Sequence, residues 1–230
     1  MAHKRVLMPS KFAIGETLTS NMVAIGMRFA AASSTFEPNI EDTIIAASIE
    51  GVKREDYRVL SLLVDWLELH MERVNVDRLT KMVQLVDDIL VRAFWTAIAQ
   101  WQARDWRLKR MQKIYRKQRI NLAEGFDFQM RKYGEDERFA KTVLRVPAKL
   151  LRHRLNDILS PAELAPKHLA YRYRVMIGPS YRADMWALME YNPELTPSEL
   201  ARKCYGSFPT AWAVRRDWII CTRRKLTKVL

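Results

Sequence analysis

Cysteine is scarce in this chain, two in 230 residues, so no disulfide scaffold can hold it together. Glycine and proline are also few, seven and nine, which argues against a loop-rich or strand-rich sandwich. No stretch approaches the roughly 20 apolar residues of a membrane-spanning helix. The uncharged segment Thr17 to Met27 falls well short of that. The chain start lacks the charged, apolar and small-residue regions of a signal peptide. These absences predict a protein with no membrane role, in the reducing cytoplasm, whose stability rests on its own core.

Catalytic signatures are missing too. No phosphate-cradling G-x-x-x-x-G-K-[ST] loop, no G-x-G-x-x-G turn and no H-E-x-x-H pair occurs. The histidines at positions 3, 70, 153 and 168 are too far apart to suggest a site. Cys204 and Cys221 fall on two expected helices and are read as packing residues. Asp87-Asp88 is read as a helix cap rather than a metal pair. No catalytic residue, metal site or cofactor is expected, and no enzymatic role.

What is present is a hydrophobic fraction of 49% and apolar positions recurring three and four apart, so the expected class is all-α with room for one short strand pair. Met22, Ile25, Phe29 and Ala30 share one helical face, and Asn39 is placed to cap a helix running through Ser48. Leu60, Leu63, Val64, Leu67 and Met71 form a stripe with Trp66 beside it. Val86, Ile89, Leu90, Phe94 and Ile98 form another, extended by Trp95 and Trp101. Residues 1–103 are therefore expected to be a helical domain, able to meet a protein partner or a second copy of the chain.

Charge is unevenly spread. Residues 1–100 are net −2, residues 101–144 net +6 and residues 145–230 net +9, giving +13 overall. A one-sided positive field concentrates polyanions, which makes double-stranded DNA the favoured partner and an acidic protein the second. Arg104, Arg107, Lys109, Arg110, Lys113, Arg116, Lys117 and Arg119 crowd sixteen residues, interleaved with Trp106, Leu108, Met111 and Tyr115. The spacing predicts a helix packed on one side and basic on the other, suited to phosphates. Residues 104–178 are expected to be this basic helix followed by connecting segments. Within them Ser160-Pro161-Ala162-Glu163 signals a helix start, and Tyr171 to Ile177 reads as a short strand or a helix end.

A C-terminal domain is expected over 179–230. Ser180 can cap a helix carrying Met185, Leu188 and Met189. Thr196-Pro197-Ser198-Glu199 is a capping box with proline at the first helical position, opening a helix with Leu200, Ala201 and Cys204. A turn at Tyr205-Gly206 leads to Ser207 as the next cap, and Ala211, Val214 and Trp218 lie on one face.

These residues resemble the helix-turn-helix family of DNA-binding regulators over Ser180 to Cys221. With Pro197 as the first motif position, Ala201 is the small residue where the helices cross, Leu200 and Cys204 are buried positions of the first helix, and Val214 seats the second. Tyr205 departs from the pattern by standing where the turn glycine usually comes, one position before Gly206. The resemblance implies that the second helix reads bases in the major groove, with Ser207, Phe208, Thr210 and Trp212 at its start, Arg215 and Arg216 reaching guanine or phosphate, and Arg223, Arg224 and Lys225 extending the backbone contact. Arg107, Arg110, Lys113, Arg116 and Lys117 would add backbone contacts. In overall build the chain also resembles bacterial antitoxin partners of nucleotidyltransferase-like toxins and BrxA-like accessory proteins of phage defence, with no single motif carrying that likeness. An acid-masking interaction protein, or an RNA-binding factor stacking bases on Tyr171, Tyr173 and Trp106, are the alternatives.

Overall fold

A computed structural model describes residues 6–226, and within the last helix it describes side chains only as far as Thr222. His3 and the side chains of Arg223, Arg224 and Lys225 lie outside the described residues. The fold is all-α with one two-residue strand pair. It divides into two compact units, Lys11–Ser160 and a second running from Pro161 onward together with the N-terminal segment ending at Ser10. The division falls at Ser160, not at 103 and 178, because the basic run belongs to the first unit and the helix before Gly178 packs in the second.

The first unit begins with α1 (Gly15–Ala24), which stops short of Phe29 and Ala30 because Gly26 takes a φ of 96°. In α2 (Ile40–Lys53), Asn39 caps as expected, accepting from the Asp42 N–H at 3.1 Å, and the helix runs five residues past Ser48. α3 (Tyr57–His70) buries its whole stripe, Leu60, Leu63, Val64, Trp66 and Leu67 being fully enclosed. α4 (Val76–Leu85) and α5 (Ile89–Trp101) complete the core. Asp88 caps α5, accepting from Leu90 and Val91 N–H at 2.9 and 3.0 Å. Of the second stripe, Val86, Phe94 and Ile98 are buried as expected with Trp95 beside them, while Ile89 opens the helix and is exposed and Val91 points into the core.

Buried indoles need a partner for the ring N–H, and both deepest ones have it. Trp66 donates to the Ile25 carbonyl at 2.8 Å and Trp95 to the Ser48 hydroxyl at 2.9 Å. Arg78 on α4 is enclosed as well. Its guanidinium donates to Asn39 Oδ1 at 2.6 Å and Asp42 Oδ1 at 2.5 Å, with Glu41 Oε2 at 3.6 Å, which pins α4 to the start of α2. After the core, β1 (Ile120–Asn121) pairs in parallel with β2 (Leu144–Arg145), and α6 (Asp127–Tyr133) lies between them in sequence.

The second unit holds α7 (Pro161–Leu164), α8 (Leu169–Ile177), α9 (Tyr181–Tyr191), α10 (Pro197–Lys203) and α11 (Phe208–Leu226). Residues 171–177 are thus helix, not strand. His168 caps α8 by accepting from the Tyr171 N–H at 3.2 Å. Arg174 of α8 grips Asp184 of α9 through two parallel bonds, Nε to Oδ1 at 2.7 Å and Nη2 to Oδ2 at 2.9 Å, both side chains being buried. Such a fork fixes orientation as well as distance, and it locks α8 onto α9.

Candidate nucleic-acid interface

α9, α10 and α11 enclose a small apolar core of Met185, Met189, Leu195, Leu200, Cys204, Ala211 and Val214, with Trp186, Ala201 and Trp218 packed half-buried against it. The start of α10 is a complete capping box: the Glu199 N–H donates to Thr196 Oγ1 at 3.3 Å, and the Thr196 N–H donates to Glu199 Oε2 at 2.9 Å. Those bonds hold the Glu199 carboxyl below its usual range. In the turn, Tyr205 adopts a left-handed φ of 54°, the conformation a glycine would favour, and the Gly206 N–H closes back on the Ala201 carbonyl at 2.8 Å. The position expected to carry the turn glycine therefore has the backbone of one, with a tyrosine in it.

α11 starts with its first turn tied down. The Thr210 N–H donates to Ser207 Oγ at 3.3 Å, and the two hydroxyls share a hydrogen bond of 2.8 Å. Ala211 and Val214 seat the helix in the core, while Phe208, Pro209, Trp212 and Arg216 face solvent. Arg216 lies over the Trp212 ring at 5.6 Å and pairs with Asp217 at 3.0 Å, and Asp217 also accepts from Arg182 at 2.8 Å. These two arginines keep the Asp217 carboxyl below its usual range. Arg215 is half-buried and contributes less to the solvent face. Exposed pairs of this kind contribute about 0–1 kcal/mol and can exchange a carboxylate for a phosphate at little cost. α11 is 19 residues long, and Ile220 continues its exposed face. Cys221 is exposed, so of the two cysteines only Cys204 packs in the core.

The basic run of the first unit is not the amphipathic α-helix its spacing predicts. A 3-10 helix spans Trp106–Lys113, and irregular chain follows as far as β1. Leu108 and Met111 are its buried side, sewn to α5 by Gln112 Nε2 donating to the Ala99 carbonyl at 3.0 Å and by the Tyr115 N–H donating to Thr96 Oγ1 at 3.1 Å. Arg110, Lys113, Arg116 and Lys117 are exposed, as are Arg104 and Lys109. Arg107 is not available as a phosphate ligand. Its guanidinium donates to both Asp105 oxygens, to the Met71 carbonyl at 3.0 Å and to those of Glu72 and Val74 at 3.3 and 3.4 Å. Burial raises the Asp105 pKa, but the Arg107 bonds and charge outweigh it and hold the carboxyl below its usual range. Arg119 is similarly spent, on Glu135 at 2.6 Å and the Thr142 carbonyl at 2.8 Å.

Of the three aromatics considered for base stacking, Tyr171 is fully buried. Tyr173 lies against Trp186 and donates its hydroxyl to Glu190 at 2.6 Å, burial and that carboxylate pushing its pKa up to about 12. Trp106 alone is open, with 81% of its surface exposed. Elsewhere Asp65, Glu68 and His153 converge within 4.8 Å. Asp65 is neutralised there by Arg138 at 3.2 Å and accepts the Arg154 N–H, so the group holds the chain near Arg154 to α3. Among the described residues no helix is long and apolar enough to cross a membrane. Comparison with protein-family models, curated proteins and solved structures gives no match for this chain.

Proposed function

We propose that this chain is a DNA-binding protein in which α10, the Tyr205-Gly206 turn and α11 form the reading unit. The observation that carries the reading is the start of α11: a capped helix end, seated by Ala211 and Val214, whose Phe208, Pro209, Trp212 and Arg216 are open to solvent. The dipole and free N–H groups of a helix N-terminus favour phosphate, and side chains there are the ones that meet base edges in a helix-turn-helix. The chain from Pro161 onward holds 12 Lys and Arg against 6 Asp and Glu, which supplies the sequence-independent attraction.

The reading set is poor in hydrogen-bonding groups, because the Ser207 and Thr210 hydroxyls are bonded to each other and no Asn or Gln stands nearby. Phosphate contact and apolar contact with thymine methyls are therefore the main terms, and discrimination between sequences is modest. A bacterial transcriptional regulator, an antitoxin or a phage-defence accessory factor is the setting this activity suits. The test is duplex affinity across salt: log K should fall linearly with log salt, and Arg215→Ala with Arg216→Ala should weaken binding and flatten that slope. Affinity that ignores salt, or no binding at low salt, overturns the reading.

A second reading is favoured by one observation. Phe208, Trp212 and Ile220 recur at multiples of four and are all more than half exposed, a stripe able to dock an acidic protein. Under it, Trp212→Ala abolishes capture of the acidic protein partner, and duplex DNA does not compete for that partner's site.

A further inference from the structure

Trp106 opens the 3-10 helix of the first unit, immediately after its cap Asp105, and is the most exposed of the chain's large hydrophobic side chains among the described residues. An indole of that exposure has a whole face free, yet its backbone is held firmly. Asp105 accepts the Arg107 N–H at 3.0 Å, and the Arg107 guanidinium clamps the same loop to the carbonyls of Met71, Glu72 and Val74. Leu108 and Met111, fully buried, anchor the following turn. Such a rigid aromatic plate loses little freedom when something stacks on it.

The surroundings state which chemistry would stack. The indole borders an open groove of about 1030 Å³ that also involves Arg73, Trp101, Arg104 and Arg107. Glu72 and Asp105 are the acids there, and Asp105 is already neutralised by Arg107 at 2.6 Å. Residues 101–119 hold eight Lys and Arg against one acid, and Arg104, Lys109, Arg110, Lys113, Arg116 and Lys117 are exposed. A planar aromatic face beside a cationic track is the arrangement that holds an unpaired nucleotide, base on the ring and backbone along the charges. A duplex cannot use it, since its bases are already stacked on one another. An acidic peptide would use the charges but leave the plate empty.

We infer that the Lys11–Ser160 unit carries a binding site for single-stranded nucleic acid in which one base stacks on Trp106 and the flanking phosphates follow Arg104, Lys109 and Arg110. This is independent of the duplex site assigned to α11. The full chain would be titrated against fluorescently labelled oligo-dT and oligo-U, with a labelled duplex and poly-glutamate as parallel probes. Trp106→Ala is expected to weaken the oligonucleotide complexes by about tenfold or more, the size of one lost base–aromatic stack, while Trp106→Phe retains most of the affinity. The indole is on the surface, so circular dichroism and the melting temperature should not move, and duplex affinity should stay at the parent value. Equal oligonucleotide affinity in Trp106→Ala overturns the site. So does poly-glutamate binding as tightly as oligo-dT and losing affinity equally in Trp106→Ala. Loss of duplex binding in the α11 variants, with oligo-dT binding intact, would leave this site standing and speak only to the other.

Discussion

Gly206 stands so close to Met185 that a Cβ at position 206 would lie 2.0 Å from the Met185 Cε. Met185 is fully buried, so its thioether has no route to solvent and must repack inside the small α9–α11 core. Gly206→Ala is therefore expected to overpack the unit and destabilise it by about 1–3 kcal/mol. Combining it with Met185→Ala should cost less than the sum of the two single changes, because each relieves part of the other. Urea midpoints of the four proteins check this, and strict additivity would mean that the contact carries no strain.

Ala201 packs half-buried against the same core, and its carbonyl accepts the Gly206 N–H that closes the turn. Ala201→Leu adds volume where α10 meets its neighbours, with an expected cost of about 1–3 kcal/mol. Binding to duplex DNA should fall because α11 is displaced, while helical content by circular dichroism barely changes. Parent-like duplex affinity in this variant would remove α10 and α11 from the binding site.

Arg78 is fully buried between Asn39, Glu41 and Asp42. Removing one member of a buried ion cluster leaves the others uncompensated, so Arg78→Ala should destabilise the first unit by about 3–5 kcal/mol. Adding Glu41→Gln should recover part of the loss, since it removes a charge left in the core. Thermal unfolding reports both values, and a cost near zero for Arg78→Ala would show that water reaches the site.

His70 is enclosed beside Trp66, its ring 4.7 Å away, and Nε2 donates to the Leu159 carbonyl at 3.0 Å. Burial lowers its pKa from 6.5 to about 4, the bond to Leu159 opposing that only in part. The unfolded chain thus takes up this proton near pH 6.5 and the folded chain only near pH 4. Stability is full above pH 6.5 and declines as pH falls toward 4, by about 3 kcal/mol in all at roughly 1.4 kcal/mol per unit. Denaturant midpoints measured over that window should fall in the parent and stay flatter in His70→Gln.

Local signals were legible in the residues themselves. The Asn39 and Asp88 caps, the Thr196 to Glu199 box and the stripe of α3 all act within one or two helical turns, so a short stretch of chain specifies them. α4 has a stripe too, Val76, Leu79, Met82 and Val83, but Arg78 on its buried side obscures the pattern by counting as polar. The break at Gly26 cuts one other stripe short and Ile89 falls outside a second, which periodicity alone cannot resolve.

The candidate site divides in the same way. That the second half of the chain is basic, that α10 and α11 follow one another across a tight turn, and that the apolar set of α11 faces inward are properties of neighbouring residues, and the sequence alone determined them. Which charges remain free was decided only by tertiary structure. Arg107 and Arg110 look equivalent in the run, yet Arg107 is consumed by carbonyls more than thirty residues earlier while Arg110 stays exposed, with only a surface contact to Asp77 at 3.5 Å. Tyr171 and Trp106 look equally suited to stacking, yet one is buried and the other open. A side chain's availability depends on what the fold brings against it from distant parts of the chain, and no spacing rule contains that information.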